Sequence, residues 1–285
     1  YKGEATVNFT INPMDISGAE ITLGDALIYN GSEQTQTIDS ITVNGFTLTE
    51  NDYIITGNTA TNADDSYTLT ISGTGNFTGE AYVGWSIAPK PIHSVTIDVT
   101  APAAGETPQI TVEAGEGYAA DIQWIPSDAA FGYNSVYEAA VILTPDYNHV
   151  FDENTTAEGF EVTLNEDGTL TLTKEFEATA KAKITSLAPP EDVTLTEYYT
   201  AADDVIALLP TTIEIEAEDG TSALAITWEL FGEFNTASNA ENTFAWTADI
   251  GELDENGFET SGTITVTNVE YIVINEENFP DEIFR

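Results

Sequence analysis

Polar and apolar residues alternate with a period of two along much of this 285-residue chain. In Ala5-Thr6-Val7-Asn8-Phe9-Thr10-Ile11 every second side chain is apolar. The same pattern runs through Tyr67–Ile71, Val95–Val99, Leu170–Thr173, Thr212–Glu216 and Thr263–Val266. Successive side chains of a strand point to opposite faces, so this period predicts strands with one buried face. Between such runs stand Asn44-Gly45, Asp167-Gly168, Asp219-Gly220 and Asn256-Gly257, dipeptides that accept the left-handed backbone of tight hairpins. No window of eleven or more residues carries a helical period. The expected fold class is all-β.

Composition strengthens that reading. Threonine, at 42 residues, is abundant beside Val, Ile, Tyr and Phe, which suit a pleated, half-buried surface. Hydrophobic residues make up 41% and aromatics 10%, enough to fill ordinary cores despite the charge. That charge is extreme: 49 acidic residues against 6 Lys and Arg give a net −43 and a pI near 4.1. Nucleic acid is excluded as a partner, because binding a polyphosphate needs a cationic footprint. An anionic membrane surface is disfavoured for the same reason. Self-repulsion also predicts a monomer. The absence of cysteine excludes disulfides, thiolate metal sites and cysteine catalysis. No apolar run approaches the roughly 20 residues of a membrane helix, so no membrane insertion is expected in these residues, and the chain opens without a signal-peptide pattern. At roughly 150 residues per domain the length suggests about two domains, or more if they are small sandwiches.

An internal repeat carries the most information. Residues 3–16, GEATVNFTINPMDI, align without gaps to residues 79–92, GEAYVGWSIAPKPI, with seven of the 14 positions identical. Phe9 answers Trp85. The shared content is a strand whose inward face is Ala5, Val7, Phe9 and Ile11 in one copy and Ala81, Val83, Trp85 and Ile87 in the other, stopped by a proline. Residues 1–13 are therefore expected to be the terminal strand of a preceding repeat, either docked on the following domain or left without its sheet.

The stretch Asp52-Tyr53-Ile54-Ile55, then Thr61-Asn62-Ala63, then Ile71-Ser72-Gly73-Thr74-Gly75-Asn76-Phe77-Thr78-Gly79, closing on Ile87-Ala88-Pro89, resembles the mostly-bacterial immunoglobulin-like (MBG-type) repeat. Asp64 stands where that family usually has glycine. The resemblance implies an immunoglobulin-like domain over 14–91. Residues 92–183, with Val95–Pro108, Trp124 and Ser135–Thr144, are similar to Ig-like modules of Gram-positive surface proteins. Residues 184–268, with Val205–Pro210, Ile213-Glu214-Ile215 and Ile226-Thr227-Trp228, resemble another bacterial Ig-like class. Trp124 and Trp228 are the expected inter-sheet plugs of these two sandwiches. The last segment, 269–285, contains Ile274–Arg285, which resembles the lead-in to leucine-rich repeats of bacterial surface proteins. Together these resemblances imply tandem immunoglobulin-like β-sandwich domains in an extracellular or cell-surface location.

Residues suited to catalysis are sparse. There are two histidines, His93 and His149, and the second follows Asp146-Tyr147-Asn148. No Gly-x-Ser-x-Gly elbow accompanies them, so His149 reads as a turn residue and His93 as a linker residue. Two histidines without cysteine do not make a zinc site. Gly73–Gly79 looks like a phosphate-cradling loop, but it leads into a strand and not into a helix N-terminus. Its glycines are read as hairpin residues.

Calcium is the candidate cofactor, although none is required. Oxygen ligands cluster at Asp64-Asp65, Asp152-Glu153-Asn154, Asn165-Glu166-Asp167 and Asp254-Glu255-Asn256. Asp152, Glu153 and Asn154 are the first choice, because they follow the Val150-Phe151 strand end. A Lys–Asn crosslink of the kind found in some surface Ig domains would draw on Lys90, Lys174, Lys181 or Lys183, with Lys174 expected on a solvent face. The Asn-x-Ser/Thr positions Asn8, Asn30, Asn76 and Asn154 read as ordinary strand and turn residues.

The function expected from all this is non-enzymatic: a structural spacer of a bacterial surface or secreted multidomain protein that presents a binding element away from the cell. The alternative is an adhesion or carbohydrate-binding module, or one accessory to an extracellular glycan-degrading enzyme. Its partner would be a host or matrix protein or a glycan, and Tyr118, Tyr133, Tyr147, Tyr198 and Tyr199 are the candidates to stack on sugar faces.

Overall fold

The computed structural model describes residues 2–269. Nearly all regular structure in them is strand, and the one α-helix is the five-residue turn Ala202–Ile206. The fold class is all-β. Two compact units divide the chain. Of the described residues, the first holds those up to Ala101, Gln109–Ser127 and Tyr137–Phe176; the second holds Pro102–Pro108, Asp128–Val136 and those from Glu177 to Val269.

Unit 1 contains two separate hydrophobic cores. The first lies within residues 14–88. A four-stranded sheet in the order Leu27–Ile28, Glu80–Ala88, Asp64–Gly73, Tyr53–Thr56 faces a three-stranded sheet of Glu20–Leu23, Ile38–Val43 and Phe46–Thr47. Ile16, Ile41, Val43, Leu48, Leu69, Ile71, Trp85 and Ile87 fill the space between. Burial alternates as the sequence predicts: Ala81, Trp85 and Ile87 of Glu80–Ala88 are inside and their neighbours are outside. Asn44 and Gly45, both at positive φ, turn Ile38–Val43 into Phe46–Thr47. The Gly73–Gly79 loop is a hairpin connection, with Gly75 and Gly79 at positive φ.

The second core of unit 1 is built from Val95, Tyr118, Val141, Leu143, Phe151, Leu170 and Leu172. Its main sheet runs Tyr118–Ile125, Glu138–Pro145, Leu170–Glu175, Glu161–Leu164, and a parallel pair, Lys90–Val95 with His149–Ala157, lies apart from it. The strand expected over Val95–Val99 ends at Val95, although Ile97 and Val99 still pack on this core.

Unit 2 is one curled sheet of six strands, in the order Ile184–Leu187, Thr212–Ala217, Ala223–Leu230, Glu241–Ala248, Ser261–Thr267, Val193–Thr194. Ile213, Ile215, Leu224, Ile226, Phe244, Trp246, Ile264 and Val266 line its inner face. Residues 102–108 and 128–136 belong to this unit because they pair with each other and with the chain near Thr179. Phe131 donates its N–H to Glu106 O at 2.9 Å, and Asn134 donates to Ala180 O at 3.0 Å.

Residues 2–13 form no strand, and Val7, Phe9 and Ile11 are 80%, 80% and 81% exposed. Among the described residues nothing covers them, as in the alternative that leaves this segment without its sheet. Trp228 is only partly buried, its Nε1–H donating to Pro210 O at 2.7 Å, while Phe244 and Trp246 fill the centre. Burial goes to whichever aromatic the curl of the sheet carries inward, and a Trp in an alternating run does not reveal that. Trp124 is buried, with its indole N–H on Gln109 O, but it packs on Phe176 at 5.7 Å and lies outside the core around Leu143. Lys174 is half-buried, its ammonium over the rings of Phe160 and Phe176 at 5.6 and 5.0 Å. A cation stripped of little water and set against two aromatic faces is stable there. The Ile274–Arg285 segment lies outside the described residues.

Candidate functional site

The most constructed place in unit 1 is the junction between its two cores. The strand Glu80–Ala88 closes the first lobe, Pro89 follows, and Lys90 begins the strand that opens the second. Proline has a fixed φ and no N–H, so it ends one ladder without unravelling it. Tyr29 donates its N–H to Ala88 O, and Lys90 donates to Asn148 O at 2.8 Å. Asn148 also reaches across with its side chain: Ala63 N–H donates to its Oδ1 at 2.8 Å. Tyr147 donates its hydroxyl to Asp64 at 3.2 Å.

His149 is the wedge of this junction. Its setting after Asp146-Tyr147-Asn148 predicts a turn residue, but it starts the strand His149–Ala157 and is buried. Its Nδ1–H donates to Asp146 Oδ1 at 2.7 Å, and its ring meets Tyr29 edge-on at 5.5 Å between centroids. Nε2 is buried without a hydrogen-bond partner. The Asp146–His149 hydrogen bond fixes the orientation of a packed ring. Burial pushes the Asp146 carboxyl up, but hydrogen bonds from His149 and from the Asn148 N–H outweigh it and hold the group below its usual value. Hydrogen bonds from the Ser66 hydroxyl and N–H likewise lower Asp64, against burial, with Tyr147 adding to the effect. His93 is exposed within Lys90–Val95.

The calcium candidates lie at a bulge. Ile92 pairs with Phe151 and Ser94 with Thr156, so residues 152–155 are extruded from the strand opposite the single His93. They therefore stand inside a strand, not beyond its end. Asp152 accepts the Asn154 N–H at 2.8 Å, and Thr155 takes the Asp152 N–H at 3.1 Å while donating to Ile92 O at 2.6 Å. Glu153 and Asn154 are exposed, and Asp152 and Glu153 border an open groove of about 500 Å3 lined by Phe160, Val162, Leu164 and Leu170. Among the described residues no three His, Cys, Asp or Glu side chains are grouped to hold a metal. An occupied bulge predicts a melting temperature that rises in millimolar calcium and falls back with chelator. At one hundred times Kd the linkage is worth about 2.7 kcal/mol. Identical calorimetric scans in calcium and chelator would remove calcium from the account.

The five tyrosines do not form one surface. Tyr118 is buried against Phe151 at 5.7 Å. Tyr133 and Tyr199 pack on the unit 2 core, and Tyr198 bonds Thr236 O. Asn268, fully buried, pins the Tyr199 backbone through both its amide atoms, at 3.2 and 2.9 Å. Only Tyr147 is well exposed, at 65%, beside a groove of about 450 Å3 formed with Ala63, Asp64, Asp65, Ile87 and Pro89. Two other lysines meet carboxylates: Lys90 is 3.5 Å from Glu116 and Lys181 is 3.7 Å from Glu252. Periodicity did not single out the junction, because Asn148, Tyr29 and Ala63 belong to segments that meet only in the folded chain. Comparison with family models, with curated proteins and with solved structures finds no match to this chain.

Proposed function

We propose that this chain is a non-enzymatic spacer of a bacterial cell-surface or secreted multidomain protein, built of tandem immunoglobulin-like sandwiches. The observation that carries the reading is the junction at Pro89. Two cores in series are joined there by a single proline, and side chains from both sides close the joint: Asn148 on Ala63, Tyr147 on Asp64, Tyr29 on His149. A connection of that kind transmits position and resists bending, which is what holding a binding element at a distance requires. The net charge of −43 keeps such a chain soluble and apart from its copies.

A second reading rests on Tyr147. An exposed phenol beside two carboxylates and an apolar wall of Ala63, Ile87 and Pro89 suits the face of a sugar ring with its hydroxyls on Asp64 and Asp65. One experiment separates the two. The purified chain is passed over glycans, mucins and matrix proteins, in calcium and again in chelator. The spacer reading expects no specific binding in either condition. Specific binding lost in Tyr147→Ala would replace it with the glycan module, and chelator-sensitive binding would draw attention to Asp152 and Glu153.

A further inference from the structure

The two copies of the internal repeat have different fates. In the second copy, Gly79 enters the strand at φ +84°, Ala81, Trp85 and Ile87 are buried in the first core, Pro89 breaks the ladder, and Lys90 to Ile92 open the next sheet against His149 to Phe151. The repeated unit is thus a whole junction: closing strand, proline, opening strand. In the first copy the latter half does the same work. After Pro13, Met14–Asp15 pairs in parallel with Phe77–Thr78, and Ile16 is fully buried. The former half does not, and Val7, Phe9 and Ile11 are bare to solvent. Seven identities in 14 positions preserve a core face that has no core here.

We infer that Gly3–Ile11 is the closing strand of a further sandwich on the N-terminal side, one whose remaining strands are built like residues 14–78. Phe9 would take the seat that Trp85 occupies, between side chains equivalent to Leu69, Ile71 and Tyr67. Pro13 would then be a junction of the same design as Pro89. A second copy of this chain is the poorer host. Its own slot is already filled by Glu80–Ala88, and two chains of charge −43 repel. The inference is independent of the spacer reading, since a glycan-binding chain could be assembled from the same junctions.

The test lengthens the chain. A copy of residues 14–78 is joined directly to Gly3, so that Gly3–Ile11 follows it as Gly79–Ile87 follows Thr78. A control joins a copy of 14–89 to Met14 and so supplies the native strand. Hydrogen exchange is read by mass spectrometry on the 5–11 amides. They should exchange freely in the unextended chain and slow by about 100-fold in the extended one, as amides do when they enter a cooperative sheet. Val7→Asp with Phe9→Asp should abolish that protection and leave the melting of the unextended chain unchanged. Free exchange at 5–11 in the extended chain, while the control strand is protected, would overturn the inference. Protection already present in the unextended chain, together with a concentration-dependent dimer, would overturn it too, in favour of a second copy.

Discussion

Trp85→Ala should destabilise unit 1 by about 3–5 kcal/mol, the usual cost of emptying a core site of a large aromatic. Trp85 is 4% exposed, stacks on Tyr67 at 4.8 Å between centroids, and donates its indole N–H to Gly57 O at 2.9 Å. Removing it leaves a cavity between two sheets and an acceptor without its donor. Phe9→Ala, at the matching position of the other repeat copy, should change stability by less than about 0.5 kcal/mol, because Phe9 is already in water. Urea unfolding followed by far-UV circular dichroism measures both. Equal losses would mean that Phe9 has a core in this chain, against its exposure. Unit 2 has its own core around Phe244, so the Trp85 variant should retain that unit's transition.

Gly117→Ala should cost on the order of 2–5 kcal/mol. The backbone there has φ +89°, which an L side chain adopts at about 1–2 kcal/mol. A Cβ would also lie 2.5 Å from Cγ of His149, inside a ring that cannot retreat: Tyr29 faces it and Asp146 holds Nδ1. Overpacking of this kind adds about 1–3 kcal/mol. Gly168→Ala separates the two contributions. Its φ is +82°, but nothing lies within 4 Å of the added carbon, so only the backbone cost of about 1–2 kcal/mol applies. The difference between the two urea midpoints reads the wedge directly, and equal midpoints would show that His149 gives way freely. If the wedge holds the junction, Gly117→Ala should also speed exchange of the Ala63 and Lys90 amides, whose acceptors are both on Asn148. Gly168→Ala should leave those amides as they are.

Local pattern was enough for the all-β class, for several strands and for the tight turns. Alternation in Glu80–Ala88, Thr212–Ala217 and Ser261–Thr267 needs only the two-residue period of an extended chain. Asn44-Gly45 and Asn256-Gly257 turn where they do because their own backbones accept positive φ. The repeat, too, was visible without coordinates. What no local pattern contains is which apolar face finds a partner. Val7, Phe9 and Ile11 read as well as Val83, Trp85 and Ile87, yet only the second set has sheets to cover it. Trp228 and Phe244 both lie in alternating strands, and the curl of unit 2 decided which one is central. His149 sits in a polar run and is buried because Tyr29, more than one hundred residues earlier, comes to lie against it. Asp152 lies within the strand and not after its end, and the bulge that holds it exists only because its partner offers one residue against four. Periodicity is a property of neighbours along the chain, whereas burial depends on segments distant in sequence. The sequence by itself therefore determined the β period, the turns and the repeat, and the tertiary structure alone decided which alternating runs became strands, the junction and its wedge.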